Sequence, residues 1–278
     1  MDAHLTPSQL FGEAQELALT VDRSNGDPDD SRYWEVVYAL WNHATLEVWK
    51  RTAALCQSVT AYERVLGANV MAQLGMGERR SRPKFWRRSV PLLLRCLTGE
   101  TAPQVVASFI AALGHMHDPR TLAPIVKFKD HPNADVRWNV AISLTARDES
   151  TALEALIELT RDEDSDVRDW ATFGLGTQTD VDTPDLRDAL VARFDDEDDD
   201  TRVEAILGLA RRGDKRALEP LLRELEKGSC SPLFEASAFL ADAADSRLWE
   251  LLQTIERDDL PSHWVDDYDQ ALKKCRPQ

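Results

Sequence analysis

One pattern recurs down this chain and limits what it can fold into. DVRWNVAISLT (135–145), DVRDWATFGLG (166–176) and DTRVEAILGLA (200–210) share it; QVVASFIAALG (104–114) and SPLFEASAFLA (231–241) follow it more loosely. The second residues of these stretches, Val105, Val136, Val167, Thr201 and Pro232, stand 31, 31, 34 and 31 residues apart. Four positions after each comes Phe109, Val140, Ala171, Ala205 or Ala236, and eight after it Leu113, Leu144, Leu175, Leu209 or Leu240. Spacings of four and eight return one face of an α-helix. A unit of this length cannot bury that face alone, so neighbouring units must stack on it.

A second amphipathic segment follows each first one after a short polar loop. These segments are TLAPIVKF, TALEALIEL, DLRDALVARF, ALEPLLREL and SRLWELLQTI, led by Leu122, Leu153, Leu186, Leu218 and Leu248. The one longer step coincides with a longer loop at 177–185, so the extra residues fall between helices and leave the register intact. Upstream, Leu66, Val70 and Leu74 fit a first helix and PLLLRCL (91–97) a second, with an insertion between them; RYWEVVYAL (32–40) and TLEVWKRTAAL (45–55) make another pair. A helix near 7–19 caps the N-terminal end, with Thr6 as N-cap and Pro7 first in the helix. Trp264, Tyr268 and Leu272 share a face of a closing helix.

The recurring D-V/T-R with A-x-x-x-L, and loops of the HDPRTL and GDKRAL type, resemble the HEAT repeat in its short bacterial form, the PBS-lyase HEAT-like repeat. The resemblance covers about residues 32–257. It implies an all-α, right-handed α-α superhelix of about seven helix pairs. Residues 1–30 form an N-terminal capping helix and loop, 31–257 the repeats with an insertion at 75–89, and 258–278 a C-terminal capping helix. It implies no single function, because such repeats serve unrelated tasks.

Charge is spread unevenly. The net charge is −16; residues 61–104 carry 8 basic and 3 acidic side chains, whereas residues 105–278 carry 21 and 37. An acidic body repels phosphate backbones and attracts basic partners. Asn133, Asp164 and Asp198 stand where N-caps belong, and Asp135, Asp166 and Asp200 fall in the first turn, where carboxylates suit the helix dipole. The resemblance implies that Asp135/Arg137, Asp166/Arg168 and Asp200/Arg202 form a charge ladder between repeats. The run DDEDDD (195–200) reads as a solvated turn ending in a cap.

Few enzyme signatures survive inspection. HEAT-like deoxyhypusine hydroxylases carry His-Glu dipeptides, and none of the six histidines here precedes a glutamate. Nothing beyond the shared repeat marks a bilin-lyase site. HEAT-like alkylpurine DNA glycosylases use a basic face, which an acidic body does not supply. His115-Met116-His117-Asp118 lacks a further ligand with metal-site spacing. Gly174-Leu175-Gly176 lies inside a helical period and is not a phosphate loop. Four scattered cysteines without CxxC spacing suit reduced thiols in the cytoplasm, and neither a secretory leader nor a membrane span is expected. No catalytic residue, metal or cofactor is assigned.

Two features lie outside the repeat logic. In the insertion, Arg79, Arg80, Arg82, Lys84, Arg87 and Arg88 flank Phe85 and Trp86. This arm either meets an acidic partner or nucleic acid, or clamps onto the protein's own acidic surface; the acidic body favours the clamp. Trp170 stands where the other repeats carry Ser108, Asn139, Glu204 and Glu235, all expected to face solvent. It either lies over Gly174 or presents an aromatic anchor. The expected role is a non-enzymatic scaffold or adaptor, such as an immunity or regulatory protein, holding a basic protein segment on the concave face formed by the second helices. The candidate contacts are Trp170, Trp138, Asn139, Glu204, Glu154, Glu158, Asp188 and Arg193. A monomer is expected, and nucleic acid is not the expected partner. The alternatives are a HEAT-like DNA-binding or DNA-glycosylase enzyme and a bilin lyase-like protein.

Overall fold

The computed structural model describes residues 5–20, 30–77, 82–228, 230–241 and 246–277. Among them the fold is all-α and HEAT-like, with no strand. The chain divides into two compact units, residues 1–143 and 144–278.

The first unit holds α1 (Pro7–Thr20), α2 (Asp30–Asn42), α3 (Leu46–Leu55), α4 (Ala61–Gln73), α5 (Trp86–Leu97), α6 (Pro103–His115), α7 (Pro119–Val126) and α8 (Ala134–Leu144), whose last residue crosses the division. Thr6 caps α1 as the sequence predicts: its Oγ1 accepts from the Gln9 amide at 3.4 Å, while Gln9 Oε1 accepts from the Thr6 amide at 2.9 Å. This reciprocal arrangement satisfies two donors that a helix start leaves open. Leu10, Phe11 and Ala14 of α1 join Tyr33, Val36, Val37 and Leu40 of α2 in one core with Leu66, Val70 and Leu74 of α4. The α2–α3 segment departs from simple pairing, because α3 packs mainly on α4 and α2 packs on α1 and α4. Trp34 and Trp41 are half-buried against it, and the Trp41 indole donates to Asn69 O at 2.9 Å.

The second unit contains α9 (Ser150–Leu159), α10 (Ser165–Gly176), α11 (Pro184–Val191), α12 (Asp199–Arg211), α13 (Leu218–Lys227), α14 (Ser231–Leu240), α15 (Ser246–Leu252) and α16 (Val265–Cys275). Its first helices α10, α12 and α14 pack side by side, and α16 closes the row against α14. Tyr268, Ala271 and Cys275 form the buried face of α16, and the Tyr268 ring meets Phe234 edge-on at 5.3 Å. The expected closing face of Trp264, Tyr268 and Leu272 is thus rotated, with Trp264 at the N-cap.

The repeat anchors are the core. Val105, Phe109, Leu113, Val136, Val140, Leu144, Val167, Ala171, Leu175, Ala205 and Leu209 have no exposed surface. Burying each Val, Leu or Phe contributes roughly 1.5–3 kcal/mol. The predicted caps also form: Val136 donates to Asn133 Oδ1 (3.1 Å), Val167 to Asp164 Oδ1 (3.2 Å) and Thr201 to Asp198 Oδ1 (2.8 Å).

Close backbone approach explains the helical glycines. A Cβ on Gly208 would lie 2.5 Å from Gly176 Cα, and one on Gly176 would lie 2.9 Å from Glu204 O, so α10 and α12 touch main chain to main chain. A Cβ on Gly174 would meet Thr145 and Leu156, so close packing accounts for this glycine. The long loop after α10 wraps one cation. Arg212 donates to Leu175 O, Gly176 O, Thr179 O, Val181 O and Gly208 O at 2.8–3.2 Å. It thereby pairs carbonyls that the ends of α10 and α12 and the added loop leave open.

Candidate functional site

Three arginines fix the register of the repeats, but not through the expected partners. Each guanidinium reaches back six residues to a main-chain carbonyl: Arg137 to His131 O, Arg168 to Asp162 O and Arg202 to Asp196 O, at 2.7–3.0 Å. Arg168 and Arg202 then reach forward. Arg168 pairs with Asp196 at 2.9 Å, their side chains only 7% and 3% exposed, and Arg202 pairs with Glu224 at 3.0 Å. The expected Asp135, Asp166 and Asp200 instead lie exposed in their first helical turns. An acid two residues before an arginine in a helix points to a different side, whereas the next loop lies in reach. DDEDDD is therefore not simply solvated. Burial would raise the Asp196 carboxyl, but hydrogen bonds from Arg168 and the Asp198 amide outweigh it and hold the carboxyl below its usual range.

The second helices of the second unit neutralise their own outward charge. Asp188 pairs with Arg216, Asp195 with Arg223 and Glu219 with Arg247, at 2.6–3.3 Å and 28 residues apart each time. Arg193 is bound to Asp196 at 2.9 Å. Of the second-helix candidates, Asp188 and Arg193 are thus engaged in the scaffold, while Glu154 and Glu158 are exposed on α9. Trp138 and Asn139 lie on α8 within the first unit, both half-buried, and the Asn139 amide donates to Asp135 O at 2.8 Å. Glu154, Glu226 and Glu250 remain exposed on the second helices outside these pairs, and Glu226 and Glu250 line a groove between α13 and α15.

Acidity of a different kind, buried and without donors, appears on the first helices. Residues 144–278 carry 17 Lys/Arg and 34 Asp/Glu, whereas residues 1–143 carry 16 and 15, so the net charge belongs to the second unit. Within it, Asp166 and Asp169 of α10, Asp200 and Glu204 of α12 and Glu235 of α14 form one electrostatically coupled row. Asp169 Oδ1 and Glu204 Oε2 are buried and make no hydrogen bond. Burial, then repulsion from Asp200, Asp198 and Asp166, pushes Asp169 up to about 6. Burial, then Asp169, Asp200 and Glu235, pushes Glu204 up to about 7, against a weaker opposing pull from Arg211. Beside Asp169 stands Trp170, half-buried, with its ring edge-on to Phe173 at 5.5 Å. A buried carboxylate without a donor costs several kcal/mol of lost solvation, which a cation can restore.

Glu204 and Trp170 were sequence candidates; Asp169 was missed, although its signal was present. Its repeat equivalents are Ala107, Trp138, Val203 and Phe234, all apolar. In α10 the acid therefore occupies an apolar column and the aromatic residue a polar one. That polar column is also less solvated than expected, because Ser108, Asn139, Trp170 and Glu204 are all half-buried.

The basic arm lies in the first unit. Arg79 and Arg80 fall outside the described residues. Trp86, Arg87 and Arg88 form the first turn of α5, which begins five residues earlier than its sequence pattern suggested because Ser89 and Val90 are buried. The clamp reading is half realised. Phe85 packs at the edge of the core, and Lys84 donates to Ala44 O at 2.8 Å. Yet among the described residues none of Arg82, Lys84, Arg87 and Arg88 forms an ion pair with a carboxylate.

At the His115–Asp118 turn, His117 adopts a left-handed backbone (φ 45°) and burial lowers the His115 imidazole's affinity for protons. Asp118 caps α7 and pairs with Arg120 at 2.8 Å. Among the described residues no three His, Cys, Asp or Glu side chains gather as a metal ion requires. The four thiols are free, and burial raises the Cys56 and Cys275 thiols above their ordinary range. No described helix is long and apolar enough to cross a membrane.

Comparison with known proteins agrees with this geometry. The chain is similar to protein YibA of Escherichia coli, strains K12 and O157:H7, at 34% identity over 111 residues. That alignment spans 40% of this chain and 39% of the YibA sequence. The crystal structure of E. coli YibA superposes with a TM-score of 0.66 at 22% identity, over 98% of each chain. An engineered protein superposes with a TM-score of 0.54 at 17% identity, over 95% of this chain and 78% of its own. A family model of HEAT repeats matches residues 90–176 and 158–238, more than half of the sequence, and the chain belongs to the HEAT repeat family.

Proposed function

We propose that this HEAT-repeat chain is a non-enzymatic scaffold that grips a basic protein segment on the first helices of residues 144–278. The carrying observation is the pair of carboxyls, Asp169 and Glu204, that the fold buries without any hydrogen-bond donor for Asp169 Oδ1 and Glu204 Oε2. A lysine or arginine side chain at the accessible side of these half-buried residues supplies the compensating charge. Trp170, adjacent in sequence, adds an aromatic surface suited to cation–π contact, worth ~0.5–2 kcal/mol. Asp188 and Glu219 of the second helices are less available, because they already hold arginines. An immunity or regulatory protein would use such a surface to hold a basic loop of its target.

The test is calorimetric titration of a short oligolysine peptide into the full chain. Binding at pH 8 should weaken about tenfold in Asp169→Asn and in Glu204→Gln, the loss expected for one desolvated charge contact. It should also weaken as pH falls through 7 and then 6, where Glu204 and Asp169 take up protons and lose the charge that attracts the peptide. Glu154→Gln, on the exposed face of a second helix, should bind as wild type. Unchanged affinity in both first-helix variants would sink the reading.

A further inference from the structure

We infer that the arm at residues 82–88 is a second docking surface of opposite sign, built to take an acidic protein segment. Its cations are held in place by aromatic rings and, among the described residues, form no ion pair with a carboxylate. The Arg82 and Arg87 guanidinium carbons lie 4.7 Å and 5.1 Å from the centre of one indole, that of Trp86. Arg88 lies 6.0 Å from the Trp49 ring, whose Nε1 is pinned by a 3.0 Å hydrogen bond to Ser89 Oγ. Lys84 sits 5.4 Å from the Phe85 ring. A guanidinium lying against a ring keeps its N–H edge free for a carboxylate, and its side-chain entropy is partly spent before any partner arrives.

The fold itself gains little from this arrangement. Arg87 and Arg88 occupy the first turn of α5, which has no acid and no side-chain cap. A cation there opposes the helix dipole by about 0.3–1 kcal/mol, which matches what an exposed cation–π contact returns. Two guanidiniums against one indole also repel each other. Asp118, the carboxylate that Arg82 influences, is already taken by Arg120 and by the start of α7. An incoming carboxylate relieves both costs at once, and bidentate pairing gives it a defined geometry.

Acidic protein fits better than nucleic acid. Single-stranded nucleic acid gains much of its affinity by stacking bases on open aromatic faces, and here Trp86, Trp49 and Phe85 already carry cations. A short acidic segment need only cover the arm, whereas a long polyanion would extend onto a unit whose 16 basic and 15 acidic side chains nearly cancel.

The test uses the full chain with two fluorescent probes of matched length, an oligoglutamate peptide and an oligothymidylate, followed by anisotropy at low salt. Oligoglutamate should bind, and should weaken about tenfold in the double variant Arg87→Gln/Arg88→Gln, whose side chains are exposed and dispensable for folding. It should weaken similarly in Trp86→Leu, which keeps every cation but removes the ring that orients two of them. Arg95→Gln, exposed in the last turn of the same helix, should bind normally. Absence of oligoglutamate binding, equal weakening in Arg95→Gln, or full affinity in the double arginine variant would overturn the inference. Oligothymidylate binding as tight as oligoglutamate would also overturn it and assign the arm to nucleic acid. Glu204→Gln should leave oligoglutamate binding unchanged, so this surface and the acidic one succeed or fail separately.

Discussion

Replacing Glu204 should stabilise the protein, and the gain should depend on pH. Its carboxyl, ordinarily near 4.5, is pushed up to about 7 by burial and by Asp169, Asp200 and Glu235. Each pKa unit corresponds to about 1.4 kcal/mol, so the rise represents about 3 kcal/mol of penalty on the charged form. The side chain retains some solvent contact and its acidic neighbours are screened by salt, which reduces the measurable effect to about 1–2 kcal/mol. The sign follows from linkage. The folded state binds this proton more tightly than the unfolded state, so the penalty is nil below pH 4.5, grows between 4.5 and about 7, and is constant above. Wild-type stability should fall across that window relative to Glu204→Gln.

Urea denaturation followed by far-UV circular dichroism at pH 4.5, 6 and 8 measures this difference. Glu204→Gln should be about 1–2 kcal/mol more stable than wild type at the highest pH and nearly equal at the lowest. The amide still leaves a polar atom where Oε2 lacks a partner, so Glu204→Met should gain at least as much. A wild type that matches both variants at pH 8, or a gap that persists unchanged in acid, would refute the reasoning. The same penalty is the reservoir a cationic partner draws on: neutralising Glu204 by pairing recovers what substitution recovers by deletion.

Two further substitutions test the scaffold. Arg168→Met removes the guanidinium that covers Asp196 and should destabilise by about 2–4 kcal/mol, the lower side of a broken buried pair because Arg193 stays at 2.9 Å. Asp196 is held below its ordinary range, so the Arg168 contribution is complete above about pH 4 and shrinks in acid; a deficit equally large at pH 3 would count against it. Gly208→Ala drives a Cβ to 2.5 Å from Gly176 Cα and should cost about 1–3 kcal/mol in thermal or urea unfolding, despite a helix-propensity gain of about 1 kcal/mol; a net gain would mean that α10 and α12 can separate freely.

The layout was legible where periodicity controls burial. Val167, Ala171 and Leu175 read as a core face and are one, and Asn133, Asp164 and Asp198 read as caps and cap. Legibility failed where a side chain's partner comes from the next repeat. The resemblance implies a ladder between repeats through the acids of the D-V/T-R motif, but the arginine selects the following loop or second helix, Asp196 or Glu224, and this choice depends on stacking distance, not on spacing within one repeat. The loop at 177–185 was legible as an insertion between helices, but not what holds it. Arg212 from the next repeat does so, since the added carbonyls need a donor and one guanidinium provides it.

Asp169 and Trp170 show how far column-by-column reading extends. Each repeat position has an environment, and a residue that violates its column signals an environment the fold does not satisfy by itself. Trp138 also departs in size from its column, yet it remains apolar among apolar equivalents and asks nothing new of its surroundings. Asp169 changes the chemistry of its column, and the result is a buried oxygen without a donor. Arginines satisfy Asp196, Glu224, Asp188 and Glu219 in this unit, and Arg211 only partly offsets the charge on Glu204. The array meets its buried acids Asp196 and Glu224 with arginines, yet leaves this row open at a stability cost. That cost is most simply understood as the part of the surface whose missing cation arrives from another molecule.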